Sequence, residues 1–114
     1  MNRIALVLFA VLLFMGCATQ ETLYTWNNYE VTSYNYLKNT DEKSTQELIE
    51  TYKKIIKKQQ GKRGIVPPGI YADYGFLLLQ TDKKEEGMAM LQKEVELYPE
   101  SRVFIERILN MVKE

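Results

Sequence analysis

The stretch from Asp41 to Gln60 constrains the fold most. Leu48, Tyr52 and Ile55 recur at the spacing of one helical face, and Ile49 and Ile56 widen it. An apolar stripe of that width is what a core-facing helix requires. The opposite side carries Glu50, Lys53, Lys54, Lys57 and Lys58. Glu50 and Lys54 stand in the favourable i,i+4 order. The later lysines suit the negative end of the helix dipole, and Gly61 is placed to stop the helix. A stripe this wide must be covered by other elements.

The flanking sequence supplies them. Pro68 to Leu79 (PGIYADYGFLLL) is apolar almost all round and is expected at the centre of a bundle. Its proline sits near the start, where a missing N–H costs nothing. Thr81 and Asp82 are placed to cap the next helix, with Glu85 three beyond Asp82 as in a capping box. That helix puts Met88, Leu91, Val95 and Tyr98 on one face and ends before Pro99. Ser101 opens a last helix with Phe104, Ile105, Ile108, Leu109 and Val112 inward. Upstream, Trp26 to Asn39 (WNNYEVTSYNYLKN) lacks the strict alternation of a strand. It is expected to be a helix with Tyr29, Tyr36 and Leu37 on one face, followed by a turn at Asn39-Thr40-Asp41. The expectation is an all-α domain over 26–114, with about five helices as stacked αα-hairpins.

Residues 68–101 resemble a tetratricopeptide repeat, a 34-residue helix–turn–helix unit. With Pro99 as the closing proline, Tyr71 takes the first aromatic position and Gly75 the small residue of the first helix. Leu78 takes the large residue that follows, and Gly87 and Leu91 the matching pair of the second helix. Lacking side chains, the two glycines would let the helices cross closely. The resemblance implies a right-handed stack whose concave side is lined by Ala72, Phe76, Leu79 and Gln80, the candidate protein-binding residues. Phe76 there is either covered by the N-terminal pair or offered to a partner. Glu94 departs from the repeat, which normally has alanine, and implies looser packing or an exposed edge.

The N-terminus reads differently. Arg3 precedes an unbroken apolar run from Ile4 to Met15, then Gly16 and Cys17, the one cysteine of the chain. Twelve helical residues reach about 18 Å, against a hydrocarbon core of roughly 30 Å. A basic start, a short apolar core and a small residue at the cut describe a secretory signal. Cysteine directly after the glycine resembles the lipobox of bacterial lipoproteins, although Phe14 stands where leucine is usual. The resemblance implies a signal peptide over 1–16, cleavage between Gly16 and Cys17, and acylation of Cys17, palmitate included. Residues 17–25 would then form a lipidated tether. Lipid on Cys17 would also account for a cysteine with no partner in a secreted chain. Ala18, rather than aspartate, in the next position implies the inner leaflet of the outer membrane, with the domain facing the periplasm. The eight residues 18–25 extend at most about 27 Å, which would keep the domain close to the bilayer.

Composition narrows the chemistry. Of the 15 basic residues one, Arg3, lies in the leader, leaving 14 against 15 acidic. That balance argues against bulk nucleic-acid binding, which needs a concentrated basic surface. There is no histidine, which removes the commonest general base and metal ligand. Glu85 and Glu86 are adjacent on a helix and face apart, and the glycines at 61 and 64 lack the spacing of a phosphate loop. No catalytic residue, metal, cofactor or small-molecule substrate is implied. The eight tyrosines read as core residues with hydroxyls at the rim rather than as a sugar-stacking surface. Lys53, Lys54, Lys57, Lys58, Lys62 and Arg63 form a local basic cluster. It has two readings: contact with an anionic surface, or a solvated helix end and loop.

Across 26–108 the chain resembles a family of small bacterial envelope lipoproteins that carry a domain of unknown function. The segments YNYLKN followed by Asp41-Glu42, VPPGIYADYGFLLL, and ELYPES followed by Val103, Phe104 and Arg107 carry that resemblance. The resemblance implies a gene beside one for a lipoprotein similar to the curli secretion channel, and hence co-operation with another envelope lipoprotein or channel-like protein. Two expectations follow. The first is a non-enzymatic, lipid-anchored adaptor that holds another envelope protein, as part of a lipoprotein assembly or secretion system. The second is an accessory regulator of a cell-wall synthase or hydrolase.

Overall fold

The computed structural model describes residues 2–14 and 22–113. Gly16 and Cys17 lie outside the described residues. Six α-helices follow in order: α1 (Arg3–Phe14), α2 (Tyr29–Lys38), α3 (Glu42–Lys57), α4 (Ile70–Gln80), α5 (Lys84–Leu97) and α6 (Arg102–Lys113). A single 3-10 turn, Pro99–Ser101, leads into α6. Among the described residues there is no strand, and α1 packs against no other helix. None of the described helices is long and apolar enough to cross a membrane. The class is all-α, with five helices after the apolar leader, as the periodicity indicates.

The apolar helix α4 is central and touches α3, α5 and α6. One side of it joins Leu48, Ile49, Tyr52 and Ile55 of α3 through Ile70, Tyr74, Leu77 and Leu78. Its other side presents Ala72 to Leu91 and Val95 of α5 and to Ile105 and Ile108 of α6. Each fully buried aliphatic side chain contributes about 1.5–3 kcal/mol of transfer free energy. Two cores sharing one helix therefore tie the ends of the domain together.

The α4–α5 crossing is a backbone contact. A Cβ on Gly75 would lie 2.8 Å from the Gly87 carbonyl oxygen, and one on Gly87 would lie 2.7 Å from that of Gly75. The α2–α3 contact keeps its side chains, with Tyr29 and Tyr36 of α2 packed on the core that holds Leu48 and Tyr52. Buried Thr32 donates to the Asn28 carbonyl at 3.1 Å, and buried Thr51 donates to the Glu47 carbonyl at 2.9 Å and to Asn28 Oδ1 at 3.3 Å.

Several local expectations change. The inward stripe of α2 is Tyr29, Thr32 and Tyr36, which leaves Leu37 one step round the helix and 79% exposed. On α5 it is Met90, not Met88, that reaches the first core, and Met88 points outward. Phe104 is 60% exposed, since none of the described helices covers it. Asp82 does not open α5, whose N-cap Lys83 makes no side-chain bond. It adopts a left-handed φ of 62° and closes α4, where the Lys83 N–H donates to the Leu78 carbonyl at 3.0 Å. The capping box lies at Asp41, whose Oδ1 accepts from the Ser44 N–H at 2.7 Å while Ser44 Oγ accepts from the Asp41 N–H at 3.1 Å. Glu50 pairs with Lys53 at 3.5 Å rather than with Lys54. Helix α3 ends at Lys57, before Gly61, as Lys58 turns extended.

Candidate interaction site

The four residues expected on one concave surface are divided by the structure. Ala72 is buried under α6 within the second core. Leu79 is half-buried and turned toward α5, where a Cβ on Gly87 would lie 3.0 Å from its Cγ. Phe76 and Gln80 are exposed, Phe76 by 40%. The helical phase explains the division: α4 buries three sides of itself, and only the line through Asp73, Phe76 and Gln80 is left outside.

Phe76 stands between two grooves. One, of about 220 Å³, lies between α4 and α6 and is lined by Ala72, Asp73, Phe76, Phe104, Ile108 and Met111. The other, of about 430 Å³, lies toward α2 and α3 and includes Tyr29, Tyr36, Leu37 and Gln80. The first is almost wholly apolar. Phe104 and Met111, both more than half exposed, form its outer lip. Nothing in the periodicity of α6 distinguishes an inward phenylalanine from one left at an edge.

Behind the second groove runs a row of aromatic rings. Tyr24 meets Trp26 edge-on at 6.2 Å, Trp26 lies 5.8 Å from Tyr29, Tyr29 5.9 Å from Tyr52, and Tyr52 stacks on Tyr74 at 5.4 Å. Most of the tyrosine density is thus structural. Tyr29 donates its hydroxyl hydrogen to Asp73 Oδ2 at 3.0 Å. Partial desolvation pushes the Asp73 carboxyl above its ordinary range, and this hydrogen bond partly offsets the shift. Burial and the Asp73 charge push the Tyr52 hydroxyl well up.

Glu94 contradicts the loose edge its departure from the repeat implied. It is only 2% exposed, and its Oε1 accepts from the Gly69 N–H at 2.7 Å, at the start of α4. The side chain takes the place of an N-cap, since Gly69 has none to offer. Its other oxygen, Oε2, is buried without a hydrogen-bond partner. Burial raises its pKa, against the downward pull of the Gly69, Ala72 and Tyr71 amides.

At the opposite end, Thr22–Thr25 is docked on the loop after α3 rather than forming part of a free tether. The Lys62 and Arg63 N–H groups donate to the Thr22 and Leu23 carbonyls at 2.9 and 3.1 Å. Gln59 clasps Thr25 with its side-chain amide, accepting from the Thr25 N–H at 3.0 Å and donating to its carbonyl at 2.9 Å. The Gln60 N–H donates to Thr25 Oγ1 at 2.8 Å. A Cβ on Gly61 would lie 2.5 Å from Tyr24 Cα and closer still to the Leu23 carbonyl, so this glycine serves a backbone approach rather than a helix stop. The basic residues surround the seam. Lys54, Lys57 and Lys58 line a groove of about 440 Å³ with Thr25, Asn27 and Gln60, and the Arg63 guanidinium lies 5.9 Å from the centre of the Tyr24 ring. Lys53 is drawn away by Glu50. Among the described residues, no group of three His, Cys, Asp or Glu side chains gathers as a metal site would require.

Compared with known protein families, residues 23–108 match the one described as Domain of unknown function (DUF4810). The chain belongs to the DUF4810 family. Comparison with curated proteins and with solved structures gave no match. The DUF4810 segment starts inside the docked segment Thr22–Thr25 and stops at Ile108, within α6. It therefore takes in the Gly61 seam, both cores, Glu94, Phe76 and Phe104, but not Met111. Sequence reasoning missed the Gln59 clasp and the role of Glu94. Both are polar side chains paired across more than twenty residues, which no local pattern displays.

Proposed function

We propose that this DUF4810 protein is a lipid-anchored, periplasm-facing adaptor that holds another envelope protein at the membrane. In this reading the leader 1–16 is removed, Cys17 carries the lipid, and the inner leaflet of the outer membrane is the site of attachment. The α4–α5 hairpin serves as a single tetratricopeptide-like unit, stiffened by its glycine crossing. The partner is an envelope lipoprotein or channel-like protein that contributes an apolar helix. The observation that carries the reading is Phe76, the one large apolar side chain on the outer line of the central helix α4, left 40% exposed between two grooves. Helices α4 and α6 flank the drier groove, which is the geometry in which an amphipathic helix lays its apolar face.

Metabolic labelling with palmitate, followed by affinity capture from detergent-solubilised envelope, tests it. The wild-type chain should take up label and retain a specific envelope protein. Phe76→Glu should keep the label and the melting temperature but lose the partner. An unlabelled chain overturns the anchor, and undiminished capture by Phe76→Glu overturns the adaptor face. Recovery of a cell-wall synthase or hydrolase would overturn the channel-like partner in favour of a regulator.

A further inference from the structure

The docked segment places three features at one end of the domain. The first is the point where the N-terminal chain joins the body, fixed at Thr22–Thr25 by backbone and Gln59 hydrogen bonds. The second is a basic rim: Lys54, Lys57 and Lys58 from the end of α3, with Lys62 and Arg63 from the loop paired to that segment, all exposed. No carboxylate lines the groove between them. The third is an amphipathic pair on the segment itself, Leu23 at 51% and Trp26 at 42% exposure.

We propose that this end lies flat on an anionic lipid surface, with Leu23 and Trp26 at headgroup depth and the lysines and Arg63 over the phosphates. Tryptophan favours the membrane–water boundary because its ring is apolar and its N–H polar. Basic side chains gain from a negative surface potential within about one Debye length. The docking matters because an undocked segment would present these groups in every direction. Gly61 allows the close backbone approach that holds the segment against the loop after α3. The proposal deepens the membrane reading above by giving the body an orientation, and it applies whether or not Cys17 is acylated.

Trp26 is the single tryptophan of the chain, so its emission reports this end alone. The full chain is reconstituted with phosphatidylcholine vesicles and with phosphatidylcholine–phosphatidylglycerol vesicles, each carrying lipid brominated near the headgroup. Quenching of Trp26 should be stronger on the anionic vesicles and should fall as salt is raised. The triple variant Lys57→Glu/Lys58→Glu/Lys62→Glu should lose that excess while keeping the wild-type melting temperature. A single reversal should weaken surface contact by about fivefold or more, from the attraction of one basic residue to such a surface. Gly61→Ala, which loosens the seam, should reduce quenching with the lysines intact. Equal quenching on both vesicles, or quenching that the triple variant leaves unchanged, overturns the proposal. So does capture of an acidic protein through these lysines with Trp26 unquenched. Palmitate uptake and capture at Phe76 are read separately, so either proposal can fail alone.

Discussion

The two helical pairs solve the same packing problem by opposite means. In α4–α5 the side chains are removed, and Gly75 and Gly87 bring two backbones into contact. In α2–α3 the side chains stay: Tyr29 and Tyr36 pack on the first core, and Thr32 and Thr51 satisfy their buried hydroxyls on carbonyls of their own helices. The first arrangement is rigid and intolerant of any added atom. The second joins the helices by ordinary side-chain packing and one hydroxyl bond across, from Thr51 to Asn28 Oδ1, of about 0.5–1.5 kcal/mol net. The difference teaches where the stable framework lies: α4 with α5 carries the fold, and α2 with α3 closes it from one side.

The largest effects should come from breaking the glycine crossing. Gly75→Ala and Gly87→Ala each push a methyl into a carbonyl oxygen and should cost about 1–3 kcal/mol by chemical denaturation, despite alanine's better helix propensity. If either is neutral or stabilising, the crossing is not the tight contact described. Glu94→Ala should come next, at about 1–3 kcal/mol, because it strips the Gly69 N–H at the start of α4 of its acceptor.

Glu94→Gln sharpens the point through pH. The Glu94 carboxyl is raised above its ordinary 4.5, so the folded state prefers it protonated. The stability this supplies is complete below the unfolded value and is lost as pH rises through the folded value. Wild type should therefore lose stability relative to Glu94→Gln as pH rises above 4.5. A constant difference across that range would contradict the buried, half-partnered carboxylate. On the other pair, Thr51→Val should cost about 1 kcal/mol or less, since both partners of its hydroxyl lie near the rim of the domain. The smallest effect should be a gain. Asp82→Gly relieves a left-handed residue and should stabilise by no more than about 1 kcal/mol.

The same contrast explains what could be read from the sequence. Apolar spacing at Leu48, Ile49, Tyr52 and Ile55, and again through α4, located the helices and the centre of the bundle. Burial of apolar area is a local property that recurs with the helical period. The two glycines were also legible, because a repeat-like spacing pairs them. Illegible were features set by what lies beyond an element. Phe104 and Leu37 are outward because none of the described helices covers them, and Glu94 is inward because the Gly69 N–H waits for it across the chain. The Asp41–Ser44 box was missed for a different reason: its third position is serine, not the glutamate or glutamine of the usual pattern. At the candidate site, Phe76 and Gln80 are exposed, whereas Ala72 and Leu79 are held inward by α6 and Gly87.

Photo-crosslinking from position 76 in living cells tests the adaptor reading most directly. A crosslinking side chain in place of Phe76 should give one discrete adduct with an envelope protein. The same probe at Leu97, equally exposed on α5 but outside both grooves, should give none. Equal adducts from both positions, or none from position 76, would contradict it.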